Sequence, residues 1–304
     1  MPATARPALR AVLGLGAVGA GCLAYAGLVE RNAFRLRRFT VPVLPAGAPD
    51  LRVLHISDLH MTPQATARQR WVSKLAGLEP DLVINTGDNL SHVDSVPFVL
   101  RSLGRLLDRP GVYVWGSNDY YAPTFKNPLA YLTRPSRRTV ANNKLLPWRD
   151  LNTGLHDAGW VDLTHLRHTV EINGVRLGFR GTDDAHLNAD RYALVAGPVE
   201  RDGVDVSIGV THAPYRRVID AMAYDGHDLI VAGHTHGGQV CVPGYGALVT
   251  NCDLDTRRVK GLSRHSAGGH TAWMHVSAGL GTSPYAPVRF ACPPEATLLT
   301  LTSR

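Results

Sequence analysis

The chain has 304 residues, of which 44% are hydrophobic and 19% charged, a composition that builds a globular core and excludes a disordered or fibrous chain. Its formal net charge of +7 suits a phosphorylated substrate, an anionic lipid surface or simply an Arg-rich exterior. No basic run is interleaved with aromatic residues, so nucleic acid is not expected as a partner.

Residues 1–10 form a short flank with Arg6 and Arg10, and residues 11–29 (AVLGLGAVGAGCLAYAGLV) carry no charge. As a helix this stretch would reach roughly 28 Å, about the thickness of a hydrocarbon core. It reads as a single-pass membrane anchor, with a cleaved signal peptide as the other reading; Gly19, Ala20 and Gly21 favour cleavage, but no A-x-A site follows. The arginines at 31, 35, 37 and 38 place the chain at a membrane without settling the side, and the same cluster suits anionic headgroups. Residues 30–50 read as a basic linker, because Pro42, Pro45 and Gly47 punctuate an extended run from Val41.

The main domain is expected over 51–304. Leu51–Ile56 is a short apolar run and predicts a buried strand ending in Ser57-Asp58. A helix is expected over 64–77, with Thr62 as its N-cap and Pro63 at its first position. Residues 81–85 predict a second strand running into Thr86-Gly87-Asp88, residues 97–107 a second helix, and residues 111–115 a third strand ending at Gly116-Ser117-Asn118-Asp119. This alternation implies parallel pairing, with ligands bound beyond the carboxyl ends of the strands. Residues 121–150, with four prolines and several basic and aromatic residues, read as a surface excursion, either an irregular loop or a lid.

The second half is strand-rich. Residues 167–172 and 175–180 flank Asn173-Gly174, a two-residue hairpin signal. Further strands are expected at 204–210, 229–231, 239–242, 247–250, 257–261, 271–276 and 296–301. The fold class is therefore α/β, as two packed mixed sheets flanked by helices and preceded by the N-terminal helix. The cysteines at 22, 241, 252 and 292 form no C-x-x-C pair, which excludes a zinc knuckle and a thioredoxin-like motif. They suggest no disulfide framework, with Cys241–Cys252 the one pair left open.

Taken singly, Asp58-x-His60 and Gly87-Asp88 are bland, since both dipeptide types also serve ordinary turns. Gly233-His234-Thr235-His236-Gly237 is more telling, because two imidazoles two residues apart on a glycine-flanked loop can address two adjacent ions. His212 closes another apolar strand, directly before Ala213-Pro214. Strand ends thus contribute Asp58, His60, Asp88, Asn118, His212, His234 and His236, a mixed donor set suited to Mn, Fe or Zn. Two such ions about 3.5–4 Å apart would activate a hydroxide and neutralise phosphoryl oxygens.

The order D-x-H, G-D, G-x-x-D, H, G-H-x-H resembles the calcineurin-like metallophosphoesterase superfamily. The ending Ala278-Gly-Leu-Gly, Arg289-Phe and Pro294-Glu295 is similar to its membrane-linked bacterial YkuE/YaeI-type branch. The resemblance implies two divalent ions: Asp58, His60 and His236 on one, Asn118, His212 and His234 on the other, and Asp88 bridging. It departs at Gly116-Ser117-Asn118-Asp119, where the family pattern is Gly-Asn-His-Asp/Glu. Either Ser117 replaces the asparagine ligand, or the loop shifts so that Asn118 does; the usual histidine acid is absent either way. Its proton would come from Asp119, from Asp184 or from His186, or the leaving group would need none. The expected activity is hydrolysis of a phosphoester or pyrophosphate bond on a lipid or cell-envelope substrate, with a nucleotide phosphodiesterase as the alternative. A non-catalytic, membrane-tethered metal-binding scaffold is the reading from a different class.

Overall fold

Six apolar runs, each too short for a buried helix, become the centre of two sheets. In the computed structural model, which describes residues 5–125 and 143–304, the first sheet contains β1 (Arg35–Leu44), β2 (Leu51–Ile56), β3 (Leu82–Asn85), β4 (Gly111–Tyr113), β5 (Val161–Asp162) and β14 (Glu295–Ser303). Its order is β1-β14-β2-β3-β4-β5. The second sheet contains β6 (Arg167–Ile172), β7 (Val175–Gly181), β8 (Val206–Val210), β9 (Leu229–Ala232), β12 (Gly261–Ala267) and β13 (His270–Val276), in the order β12-β13-β9-β8-β7-β6. A two-stranded ribbon, β10 (Cys241–Val242) with β11 (Gly246–Ala247), stands apart. Both large sheets are mixed, with parallel centres and antiparallel pairings at β14–β2, β12–β13 and β6–β7.

Period-two alternation sorts the side chains. Leu51 and Val53 point between the sheets, where they meet Val206, Ile208, Val210, Leu229 and Val231. Leu54 and Ile56 point outward beneath α2 (Thr66–Ser73), α3 (Val96–Leu103) and α5 (Trp148–Asp157). The outer face of the second sheet packs Ala272, Met274 and Val276 against Val218, Ile219 and Met222 of α6 (Arg216–Asp225).

Several expectations shift. The 64–77 helix is α2 followed by a tight 3₁₀ turn over Lys74–Leu78, and Ala65 occupies its N-cap in place of Thr62. The 257–261 strand is displaced: β12 starts at Gly261 and runs to Ala267. The linker expected over 30–50 is largely β1, which lies parallel to β14 from Arg35 to Leu44. Pro42 fits because β1 is an edge strand, and the register breaks between Pro42 and Leu44. The loop expected over 121–150 begins with a bridge between Tyr121 and Leu145 and ends inside α5; its middle, residues 126–142, and with it the lid reading, lies outside the described residues.

The expected membrane span needs a correction. A helix, α1, runs over Ala5–Ala24 and gives way to a π turn over Tyr25–Val29. Among the described residues no helix is long and apolar enough to cross a membrane. Gly14, Gly16, Gly19 and Gly21 dilute its apolar surface, and the change of helix type at Tyr25 divides the uncharged run. The four cysteines are free, and the neighbour of Cys241 is Cys292 rather than Cys252.

Candidate metal centre

Beyond the ends of β2, β3, β8 and β9 the chain makes sharp turns that bring six expected ligands together. Asp58, His60, Asp88, His234 and His236 all have positive φ, between 40° and 69°. Non-glycine residues rarely adopt that region, and each instance costs on the order of 1–3 kcal/mol unless its surroundings enforce it. Here a web of backbone bonds does so. Asp58 N–H donates to the Gly87 carbonyl at 2.8 Å, His60 N–H to the Asp88 carbonyl at 2.9 Å, and Gly233 N–H to the His212 carbonyl at 2.8 Å. Gly233 is required where it stands, because a Cβ there would lie 1.9 Å from Ser57 Oγ and 2.8 Å from Asp58 Oδ2.

Two groups of donors form. Asp58, His60 and His236 offer ligand atoms within 4.8 Å of one another, and so do Asp58, Asp88 and His212. Asp58 joins both groups, whereas the resemblance assigns the shared position to Asp88. Asp88 nevertheless lies between the two halves, with Oδ2 at 3.6 Å from His60 Nε2 and Oδ1 at 3.6 Å from His212 Nε2. His60 Nε2 and His236 Nε2 are 3.1 Å apart, and His234 Nδ1 is 3.3 Å from His212 Nε2.

Outer hydrogen bonds choose the nitrogen that faces the centre. His236 Nδ1 donates to the Gly281 carbonyl at 3.1 Å, which leaves its Nε2 lone pair inward; His212 Nδ1 donates to the Thr86 carbonyl at 2.6 Å, which turns Nε2 inward, where a bound cation would displace its proton. His234 is reversed: Nε2 donates to the Asn251 carbonyl at 3.1 Å, so Nδ1 faces inward. Ser91 Oγ holds His60 Nδ1 at 3.0 Å. Such partners fix tautomer and ring orientation in metal sites. Asp58 is held in the same manner, since Oδ2 accepts Ser57 Oγ at 2.5 Å and His234 N–H at 3.1 Å. Its Oδ1 is buried with no hydrogen-bond partner and lies 3.4 Å from His236 Nε2. A buried carboxylate oxygen left without a donor, amid imidazole lone pairs, fits a divalent cation.

The electrostatics agree. Burial pushes His60 down to about 4, against the pull of Asp88, and burial likewise holds His234 and His236 well below the ordinary range. All three are therefore neutral, as ligands must be. Burial raises Asp58 to about 6. Burial also acts to raise Asp88, but His212, His60 and the donors of Asn118 outweigh it and hold this carboxyl far below its usual value. His212 is the counterpart: burial disfavours its proton, yet Asp88, Asp184 and Asp58 lift it to about 9. Three carboxylates thus gather one positive charge between them.

At the departing loop, Asn118 reaches Asp88 with both its backbone N–H (2.6 Å to Oδ1) and its carboxamide nitrogen (2.6 Å to Oδ2). Ser117 is buried at the start of α4 (Ser117–Tyr120). Asp119 faces the backbone, accepting the N–H groups of Asp88 (2.8 Å), Asn89 (2.7 Å) and Gly116 (2.9 Å). Burial, with Asp88 nearby, raises it to about 7. Asp184 and His186 also come to the site. The His186 ring lies 4.5 Å from the His234 ring, and Asp184 Oδ2 is buried without a partner.

The contacts of Arg289 and a buried polar chain are features that the sequence does not spell out. Arg289 is fully buried and donates to the carbonyls of His236 (3.1 Å), Ala278 (2.7 Å), Gly279 (3.1 Å) and Gly281 (2.7 Å), pinning the His236 loop. A polar chain also runs from the sandwich interior to Asp58. His275 Nδ1 meets His55 Nδ1 at 2.9 Å, His55 Nε2 meets Thr86 Oγ1 at 2.9 Å, and Thr86 donates to Ser57 Oγ at 2.7 Å. A carboxylate only accepts, so the direction is fixed throughout: Ser57 donates to Asp58, Thr86 to Ser57, His55 to Thr86 and His275 to His55. The one buried nitrogen left without a partner is then the acceptor His275 Nε2, as observed.

Comparison with known proteins agrees with this geometry. The family described as calcineurin-like phosphoesterase matches residues 51–238. An uncharacterized metallophosphoesterase of Aquifex aeolicus is 27% identical, covering 90% of this chain and 94% of its own. The Bacillus subtilis metallophosphoesterase YkuE is 24% identical, covering 95% of this chain and 94% of its own. A transmembrane protein with metallophosphoesterase domain of Bos taurus is 29% identical, covering 66% of this chain and 44% of its own.

Proposed function

Because the chain belongs to the calcineurin-like phosphoesterase family, we propose that it hydrolyses a phosphoester or pyrophosphate bond with two divalent ions held by Asp58, His60, Asp88, Asn118, His212, His234 and His236. The observation that carries this reading is the buried, unpartnered Asp58 Oδ1 amid neutral imidazole nitrogens whose far sides are tied to oxygen. Divalent cations in such a cage supply charge against phosphoryl oxygens and the acidity that makes water a nucleophile near pH 7. Mn, Fe and Zn all suit the donor set.

The protein's own residues supply position and charge balance. Asp119 fixes the Gly116 turn and the Asp88 backbone together, so its role is positioning. Asn118 has no proton to give at neutral pH, which favours substrates whose leaving group departs as a stable anion. Asp184, raised to about 7 chiefly by burial, contributes to the charge balance around His212.

Membrane association is part of the proposal. Leu13, Leu23, Leu28 and Val29 are exposed along the N-terminal helical segment, and Arg31, Arg35, Arg37 and Arg38 follow it. An apolar stripe with adjoining arginines suits an anionic lipid surface, which would bring the site to a lipid-linked substrate.

The test loads the full chain with Mn²⁺, counts bound metal, and assays bis-p-nitrophenyl phosphate beside Asp88→Asn. Two ions per chain and turnover lost in the variant are expected. Equal, negligible rates for both proteins across ester and pyrophosphate substrates would leave a metal-binding scaffold. Recovery with anionic vesicles on flotation, but not with neutral ones, is expected for the surface-bound protein.

A further inference from the structure

We propose that the cleft beside His60 seats the leaving group, and that this group is itself a phosphate, so the bond cleaved is a phosphoanhydride. This inference rests on the phosphoesterase reading above and specifies its substrate class.

The cleft has a volume of about 460 Å³, and its lining includes His60, Thr62, Thr66 and Thr282 as well as Arg31 and Arg68. It therefore opens directly from one of the ligand side chains. Its two guanidiniums are satisfied only by carbonyls: Arg31 donates to Pro287 at 3.4 Å, and Arg68 to Leu59 at 2.7 Å and to His60 at 2.6 Å. Arg68 Nε is buried with no partner. Among the described residues, neither arginine is paired with a carboxylate. The fully buried Arg289 donates to the carbonyl of His236, whose ring lies beside that of His60, and adds a third guanidinium nearby. Several like charges without a counter-charge, next to a phosphoryl site, are held at a cost that an anion relieves.

The loop chemistry says which anion. With Asn118 at the position of the usual acid, an alkoxide leaving group would depart unprotonated. A phosphate leaving group needs no proton, and Arg31 and Arg68 would neutralise it. The balance is simple: water's oxygen bonds to one phosphorus, and the bond from that phosphorus to the bridging oxygen breaks. The electron pair leaves on the second phosphate, and water's proton passes to solvent. The products are two phosphate species, with nothing oxidised or reduced.

The experiment uses the full Mn²⁺-loaded chain and two matched substrates, ADP-ribose with a phosphoanhydride and the p-nitrophenyl ester of AMP without one. Arg31→Gln and Arg68→Gln should each lower the anhydride-to-ester ratio of kcat/KM by about 10- to 100-fold, as for loss of a hydrogen bond to a charged group. Calorimetry on the metal-free protein gives a readout independent of turnover: Arg31→Gln should weaken inorganic pyrophosphate about tenfold or more while inorganic phosphate changes far less. Turnover of the nitrophenyl ester with none of ADP-ribose overturns this inference and leaves the phosphoesterase reading standing. An unchanged ratio in both variants also overturns it. Absence of turnover on both substrates overturns both readings.

Discussion

Replacing Ser57 with Ala tests whether the polar chain holds the first ligand in place. The change removes a donor to Asp58 Oδ2 at 2.5 Å and an acceptor for Thr86 Oγ1 at 2.7 Å. A hydrogen bond to a charged group contributes about 1.5–3 kcal/mol and a neutral one about 0.5–1.5, so the metal-free protein should lose roughly 2–4 kcal/mol. Asp58 Oδ2 keeps only the His234 N–H at 3.1 Å, and the carboxylate gains rotational freedom. Metal affinity should then fall about 10- to 100-fold, as for other partners that orient a ligand. The Ser57 hydrogen bond also helps to hold down a carboxyl that burial lifts to about 6, so the loss of affinity should be greater at pH 6 than at pH 8. The assays are competition with a chromogenic chelator at both pH values and urea unfolding of the metal-free protein. A dissociation constant within twofold of the parent at both pH values would refute the reasoning, whatever the stability change.

Other outcomes follow from the same structure. Burial lowers His275 to about 3, below the 6.5 of the unfolded chain. Its contribution is therefore fully present above pH 6.5 and is lost as pH falls towards 3, by at most about 1.4 kcal/mol per pH unit; His275→Leu should flatten the acid limb of stability, measured by urea unfolding from pH 7 to 4. Gly233→Ala would place a Cβ 1.9 Å from Ser57 Oγ, so about 1–3 kcal/mol of overpacking is expected in thermal unfolding, with metal content reduced. Arg289→Lys cannot span the carbonyls of Ala278, Gly281 and His236, and metal titration should show weakened binding with the cation's charge retained. Without a histidine acid, alkyl phosphate esters should turn over roughly 10²–10⁴ times more slowly than p-nitrophenyl esters, and a flat series of leaving groups would contradict that.

Much of this was legible in the chain because parallel strands buried on both faces are written as unbroken apolar runs, as at Leu51–Ile56 and Leu229–Ala232. The ligands were legible because each stands just past such a run. Structure made by distant partners was not. Nothing local marks His55 and His275 as neighbours, since they sit 220 residues apart on opposite sheets. Arg289 stands out in the ending that carries the resemblance, but its hold on the carbonyls of Ala278, Gly279 and Gly281 depends on loops brought together only by the fold. Strand β1 was hidden by Pro42 and by Pro45 just past its end; Pro42 is tolerated within it because one side of the strand is unpaired. Helices α5 and α6 went unremarked because their apolar residues are spaced among polar ones, at Leu151 and Leu155 or Val218, Ile219 and Met222. Asp184 and His186 were legible as candidate proton donors, but the packing of the His186 ring against His234 is visible only in the fold.

The position of β14 between β1 and β2 sets a timetable for synthesis. The first sheet lacks an interior member until residues 295–303 emerge from the ribosome, after every described strand of the second sheet. Until then β1 has no partner, and β2 presents an open row of backbone groups on one side. The β2–β5 half can assemble early. Closure of the sheet must wait for β14. A nascent chain of this protein therefore carries an unfinished first sheet throughout the synthesis of the second, a period in which aggregation competes with folding.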